Sequence, residues 1–296
     1  MATPRSRYRP AGTPTYSHRF HAGNVGDVWK HCALVEILRG IARAGGVRYL
    51  ETHAGEGRYD LGDTGEWSEG IGRLWQRAGG AQGDDPVARY VAICARLVEG
   101  GSRPAWYPGS PAFARAVLGP EAQLMLWEQD EVAFARLAAH TGGDRHARLV
   151  RGDGLHALPE EIRAAEGGPG AVVVLIDPPY TRKADWHDVP AALAAAVARS
   201  RRACLILWYP VKSLTRPNAM IASLQAAGVS GTIAELVTTP LEHQRHRLNG
   251  SGLLLVRPPV GTLEGLGGAA PLVGEGCATR RGTWSFRMHS WEAGSR

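Results

Sequence analysis

The run Ala171-Val-Val-Val-Leu-Ile176 and the four residues after it, Asp177-Pro178-Pro179-Tyr180, restrict the fold more than any other stretch of the 296-residue chain. An uninterrupted Val/Leu/Ile run is the pattern of a strand buried on both faces of a parallel sheet. Two prolines, which cannot donate to a ladder, close it abruptly. An acid and an aromatic ring are thereby fixed at the carboxyl end of a buried strand.

Comparable runs recur along the chain. "VRYLETHAGEGRY" (47–59) reads as a strand running into a glycine-containing turn, and "AQLMLWEQD" (122–130) as a strand ending at Glu128. Further strands are predicted at 147–151, 203–208, 232–238 and 252–257. Helical spacing fills most gaps, at 130–140, 157–166, 188–200 and 214–228. Strands alternating with crossover helices predict an α/β fold with a seven-stranded, doubly wound, Rossmann-like parallel sheet, and the last two strands, joined without a helix, predict an antiparallel hairpin at one edge.

About seventy residues separate the first strand from the second, where a βαβ unit needs about thirty. "GIGRLWQRAG" and "DPVARYVAICARLVEG" (85–100) have helical spacing, so a small helical subdomain is expected over 62–105, inserted into a larger α/β domain of 16–61 and 106–296. "WYPGSPAFARAVLG" (106–119) reads as the resumed crossover, with Ser110 capping a helix whose first residue is Pro111. Residues 1–15, Pro- and Arg-rich, are expected to form a flexible basic arm, and the Gly-rich stretch 261–276 a loop.

Charge narrows the partners. Lys and Arg total 34 against 28 Asp and Glu, a net +6, and the excess is uneven. Residues 1–30 carry five bases against Asp27, and residues 181–216 carry seven against Asp185 and Asp188. Such local surpluses suit a polyanion, although a solvated basic surface is the plainer alternative. Cys32, Cys94, Cys204 and Cys277 form no CxxC pair, which predicts neither a zinc site nor a disulfide framework and points to a reduced cytoplasm. No apolar run reaches the roughly 20 residues of a membrane span. A cytoplasmic monomer, away from the membrane, is the expectation.

The chemistry gathers at predicted strand ends. Gly55 and Gly57 would let backbone approach a nucleotide-like ligand, Glu128 could accept ribose hydroxyls, and Asp153 of "GDG" could receive an adenine amine. Each alone could be an ordinary turn or cap, but together they lie where ligands of such sheets bind. Asp177 can accept one hydrogen of an exocyclic amine and the Pro178 carbonyl the other, while Tyr180 offers a face for the base. "HQRHR" (243–247) has two histidines three apart and no cysteine nearby, so a basic loop facing nucleic acid is the better reading than a metal site. No metal is implied.

The segments "YSHRFHAGNVGDVWKH" (16–31), "ETHAGEGRY" (51–59), "WYPGSP" (106–111), "IDPPY" (176–180) and "LWYPV" (207–211) resemble, in order and spacing from about residue 16 to 290, the RlmJ family of bacterial large-subunit ribosomal RNA adenine-N6 methyltransferases. The resemblance implies a class I fold dependent on S-adenosyl-L-methionine, and 23S ribosomal RNA as partner. It puts His31, His53, Ser110, Glu128, Asp153 and Gly154 against the cofactor, Asp177 in the catalytic acid's place and Tyr16 against the RNA. Lys30 and Asn24 fall near the methionine carboxylate or the target base. Glu51 in place of an Asp, Trp29 in place of a smaller residue, and the longer arm depart from the pattern. The implied reaction is direct methyl transfer to N6 of an unstacked adenine. A guanine-N2 methyltransferase, or an RNA-binding protein that kept the fold without catalysis, are the rival readings.

Overall fold

A computed structural model describes residues 20–43, 45–78, 85–242 and 248–294. The arm, Tyr16 and "HQRHR" lie outside these residues. In chain order the elements are α1 (Val25–Ala42), β1 (Val47–Glu51), β2 (Arg58–Asp60), α2 (Ile71–Leu74), α3 (Pro86–Leu97), β3 (Trp106–Pro108), α4 (Ser110–Leu118), β4 (Gln123–Glu128) and α5 (Glu131–Thr141). There follow β5 (Ala147–Arg151), α6 (Gly154–Glu166), β6 (Ala171–Ile176), α7 (Asp185–Arg199), β7 (Cys204–Val211), α8 (Thr215–Ala226), β8 (Gly231–Val237), β9 (Gly250–Val256), α9 (Thr262–Cys277) and β10 (Ser285–Trp291).

The main sheet has eight strands in the order β10-β8-β9-β7-β6-β1-β4-β5. From β7 to β5 they run parallel, whereas β9, β8 and β10 join antiparallel. The eighth strand, β10, corrects the expected count of seven. The β8–β9 hairpin forms, but β10 rather than the hairpin occupies the edge. β10 escapes pattern reading because it lacks a buried face: most of "SFRMHSW" is exposed, and Trp291 is its one buried residue. It is held instead by polar contacts. Trp291 Nε1 donates to the Val229 carbonyl at 2.6 Å, and Arg287 bonds the buried Glu235 carboxylate at 2.8 and 2.6 Å.

Alternation along the central strands divides the core. Val173 and Leu175 face one hydrophobic cluster with Tyr49, Leu126 and Ile206. Val172, Val174 and Ile176 face the other with Leu50, Leu205 and Leu207. Helices α1, α3, α4 and α9 pack together over the first face, and α6, α7 and α8 over the second. A strand apolar on both sides needs this two-layer cover. The chain order β1-β4-β5 runs one way and β6-β7 the other, so the sheet reverses between β1 and β6, and ligands of open α/β sheets bind in the crevice at such a reversal.

α1 is buried around almost its whole circumference, including Asp27, Lys30 and His31. Trp29 seats it on the antiparallel edge: its indole donates to the Ala234 carbonyl at 3.1 Å and meets Phe286 edge-on at 5.7 Å. Residues 71–78 and 86–97 are helical, as their spacing predicts. Val87, Tyr90, Val91 and Cys94 of α3 enter the cluster that α1 and the sheet share, and Arg89 grips Glu36 of α1 at 2.8 and 2.7 Å.

The Gly-rich stretch expected as a loop is the helix α9. Leu266, Ala269, Ala270, Val273 and Cys277 form a buried stripe at helical spacing, and tertiary packing of that stripe outweighs weak propensity. Its glycines permit close contact: a Cβ at Gly274 would lie 2.4 Å from Trp284 Cδ2, and one at Gly276 would lie 2.6 Å from Leu74 Cδ2. All four cysteines are unpaired and buried. No helix among the described residues is long and apolar enough to cross a membrane.

One glycine sets the spacing at the strand ends. A Cβ on Gly154, the first residue of α6, would sit 2.5 Å from the Thr52 carbonyl oxygen and 2.6 Å from Thr52 Cα. Both obstacles are backbone and cannot swing away. Gly154→Ala is expected to lower stability by about 1–3 kcal/mol in urea unfolding, at unchanged m value. A wild-type midpoint would show that the turn after β1 yields freely.

Candidate active site

β6 ends at Ile176, and the chain leaves the sheet through Asp177, Pro178, Pro179 and Tyr180. Tyr180 has φ 48°, in the left-handed region that a bulky residue adopts only when its surroundings enforce it. Its ring lies 4.5 Å from Trp186 of α7 and 6.4 Å from Trp208 of β7, and its hydroxyl reaches Met220 Sδ at 3.9 Å. This aromatic group borders a cavity of about 1410 Å³ at the carboxyl ends of the strands.

Asp177 does not stand alone. Lys30 Nζ donates to Asp177 Oδ2 at 2.6 Å and to Asp27 Oδ1 at 2.8 Å, with the ammonium side chain 5% exposed. Burial opposes its charge, but the carboxylates of Asp177 and Asp27 outweigh burial and hold Lys30 above the ordinary lysine range. The ammonium also lies 5.7 Å from the Trp208 ring centroid. Asn24 caps α1 by accepting from Asp27 N at 3.0 Å and donates to Glu66 Oε2 at 2.9 Å. His21 contacts the same Glu66 oxygen at 3.0 Å, and that bond raises the imidazole's pKa.

Across the cavity, acids and backbone take over. Gly55 has φ 62°, and its N–H donates to Glu128 Oε2 at 2.9 Å, while Asp130 N donates to Oε1 at 2.8 Å. Burial raises the Glu128 carboxyl despite these bonds. Asp153 caps α6 by accepting from His156 N at 3.1 Å. His53 Nδ1 lies 2.8 Å from Thr52 Oγ1, and burial lowers its pKa, which favours a neutral ring. His31 Nδ1 lies 2.7 Å from Tyr107 OH, and its ring lies 4.6 Å from that of Phe113.

The structure brings Asp177, Pro178, Tyr180, Lys30, Asn24, His31, His53, Gly55, Ser110, Glu128 and Asp153 to one cavity. Gly154 lies buried just behind Asp153. Ser110 is not the expected helix cap: Gly109 holds that position, without a side-chain bond, because the Ser110 hydroxyl turns inward to Glu51. Sequence reading missed Asp27, Glu66, Trp186 and Trp208, which also line the cavity. Asp27, three residues before a buried lysine, carried a readable helical-pair signal. Glu66 meets Asn24 across 42 residues of sequence and carried none.

Glu51, fully buried at the end of β1, accepts from Ser110 Oγ and, at 2.8 Å, from Tyr49 OH. Burial pushes its carboxyl from the ordinary 4.5 up to about 8, more than the two hydrogen bonds pull it down. The folded protein therefore keeps a proton that the unfolded chain has released. The contribution is whole below pH 4.5 and is lost as pH rises toward 8. Glu51→Gln should flatten the decline of stability over that window by up to about 1.4 kcal/mol per pH unit, read from unfolding curves at a series of pH values. Parallel curves for the two proteins would contradict the assignment.

With this geometry in place, comparison with known proteins is informative. Residues 45–291 match the family described as Ribosomal RNA large subunit methyltransferase D, RlmJ. Ribosomal RNA large subunit methyltransferase J of Escherichia coli strain K12 is 33% identical over 254 residues, covering 83% of this chain and 87% of that protein. Its Haemophilus influenzae counterpart matches with the same identity and coverage. A crystal structure of a Legionella pneumophila protein superposes with a TM-score of 0.81 at 26% identity, over 91% of this chain and 98% of that one. The chain, with its class I methyltransferase sheet, belongs to the RlmJ family of ribosomal RNA large-subunit methyltransferases.

Proposed function

We propose that the protein methylates the N6 amine of an adenine in 23S ribosomal RNA, with S-adenosyl-L-methionine as methyl donor. The observation that carries the reading is Asp177, held by Lys30 through one oxygen and set beside Tyr180 at the mouth of β6. A carboxylate has acceptor capacity on both oxygens, so Oδ1 is left to take one hydrogen of an exocyclic amine. The Pro178 carbonyl takes the other. Held at both hydrogens, the nitrogen is drawn out of conjugation with the ring, and its lone pair becomes available. Asp177 then receives the proton that N6 gives up.

The donor set opposite suits S-adenosylmethionine. Glu128 and Asp153 offer acceptors for ribose hydroxyls and an adenine amine, Gly55 lets backbone approach closely, and these carboxylates favour a cationic ligand. When bound there it supplies an electrophilic methyl group on a sulfonium. The base must be unstacked to reach Asp177, at a cost of a few kcal/mol, and stacking on Tyr180 returns about 1–3. The names of the two bacterial relatives support ribosomal RNA as the substrate class.

The acid and the cofactor residues should separate kinetically. Asp177→Asn keeps the side chain's size and an oxygen for Lys30 while Asp27 keeps its charge beside the ammonium, and should lower turnover at least about 100-fold, or about 2.7 kcal/mol, with S-adenosylmethionine affinity nearly unchanged. Nucleoside mass spectrometry of 23S ribosomal RNA should show N6-methyladenosine with the wild type and almost none with the variant. Methylation at guanine N2 would refute the adenine assignment, and full activity of the variant would refute the acid's role. Glu128→Ala should weaken S-adenosylmethionine binding at least about tenfold by calorimetry, a loss of about 1.4 kcal/mol. Undiminished affinity would remove Glu128 from the cofactor site.

A further inference from the structure

The cavity is electrically two-sided. Glu56, Glu128, Asp130 and Asp153 line it at the ends of β1, β4 and β5, whereas Lys212 and Arg216 line it beyond β7. Both bases are exposed, and neither has a carboxylate or other side-chain partner among the described residues. Arg182, the third base on the wall, is by contrast tied to Asp185 at 2.9 Å.

β7 explains how the two bases are aimed. Successive side chains of a strand alternate between faces, with a rise of about 3.3 Å per residue. Leu207, Tyr209 and Val211 are buried in the core. Trp208 and Pro210 are partly exposed and line the cavity, and Lys212 is the next residue in that series. Trp208 lies 6.4 Å from the Tyr180 ring, so the strand leads from the aromatic floor beside Asp177 outward to Lys212. His21 lines the same cavity, and the Lys212 charge opposes its protonation. Arg216 follows in the first turn of α8.

We infer that Lys212 and Arg216 hold the backbone phosphates flanking the methylated nucleotide, and that the polyanion reaches the cavity over the β7–α8 corner. The inference rests on the RNA reading above and adds a direction to it. Phosphates are repelled by the acidic wall and met by two uncompensated cations on the other, a complementarity that sets orientation as well as affinity. Arg182 is tied to Asp185 and Lys183 does not line the cavity, so they do not supply an equivalent pair.

The test compares the wild type with Lys212→Ala/Arg216→Ala and with Arg280→Ala/Arg281→Ala, an equal charge change beside the separate groove between α2 and α9. Binding of a 23S ribosomal RNA fragment is measured over a series of salt concentrations, together with S-adenosylmethionine affinity and RNA kinetics. Loss of two phosphate contacts should reduce the slope of log K against log salt by about 1.4–1.8. RNA affinity should fall at least tenfold at low salt, with the loss in KM rather than kcat, and S-adenosylmethionine affinity should hold. An unchanged slope overturns the inference, as does an equal effect of Arg280→Ala/Arg281→Ala or a parallel loss of S-adenosylmethionine binding. A wild type that neither binds nor methylates the fragment removes the RNA reading, and this inference with it.

Discussion

The Lys30 ammonium, held within 2.8 Å of Asp27 and 2.6 Å of Asp177, couples the first helix to the central strand. A charge so deeply buried is tolerable only with its counter-charges in place, because desolvation costs several kcal/mol per ion and removing one partner leaves another stranded. The rest of the site is arranged around that requirement. Asn24 fixes Asp27 through the cap of α1, Trp29 anchors α1 to β8, and the β6 ladder places Asp177 at the far end. The same carboxylate that closes this pair is the one we propose meets the substrate amine, so on that reading folding and chemistry depend on a common geometry.

Around this pair the fold supplies clearance and polarity. The reversal between β1 and β6 opens the crevice, and Gly154, with Thr52 backbone against it, brings α6 close to the first strand turn. Tyr49 and Ser110 converge on Glu51 beneath the floor, so the wall that carries Ser110 is tied to the end of β1. Carboxylates that carry no lysine or arginine partner among the described residues, at Glu128, Asp130 and Asp153, stand where β4 and β5 end, and Lys212 and Arg216 stand beyond β7, so the order of strands becomes an order of exposed charge.

Much of this was legible in the residues. Strands 147–151 and 171–176 emerge at their expected limits, and Asp177, Glu128, Asp153 and Gly55 occupy one cavity because strand ends in a parallel sheet are neighbours wherever they lie in sequence. Features set by tertiary contact were not legible. α9 owes its helix to a buried stripe that its glycines disguise, and β10 owes its place to Trp291 and Arg287 rather than to alternation. Ser110 left its capping role for a partner 59 residues away. Lys212 looked like one base among seven, and only its position beyond Trp208 on β7 distinguishes it.

The left-handed backbone of Tyr180 has a consequence for timing. Proline fixes φ at two successive positions, and the next residue is held in a conformation costing of order 1–3 kcal/mol. The ordering of this turn is thus completed when the chain folds and is not repeated at each encounter with substrate. On the proposed reading, a base arriving beside Asp177 meets acceptors already at their separation, and less conformational entropy is lost on binding than a flexible loop would lose. In this sense the turn stores, as a permanent weakness of the fold, the precision that every catalytic cycle draws upon.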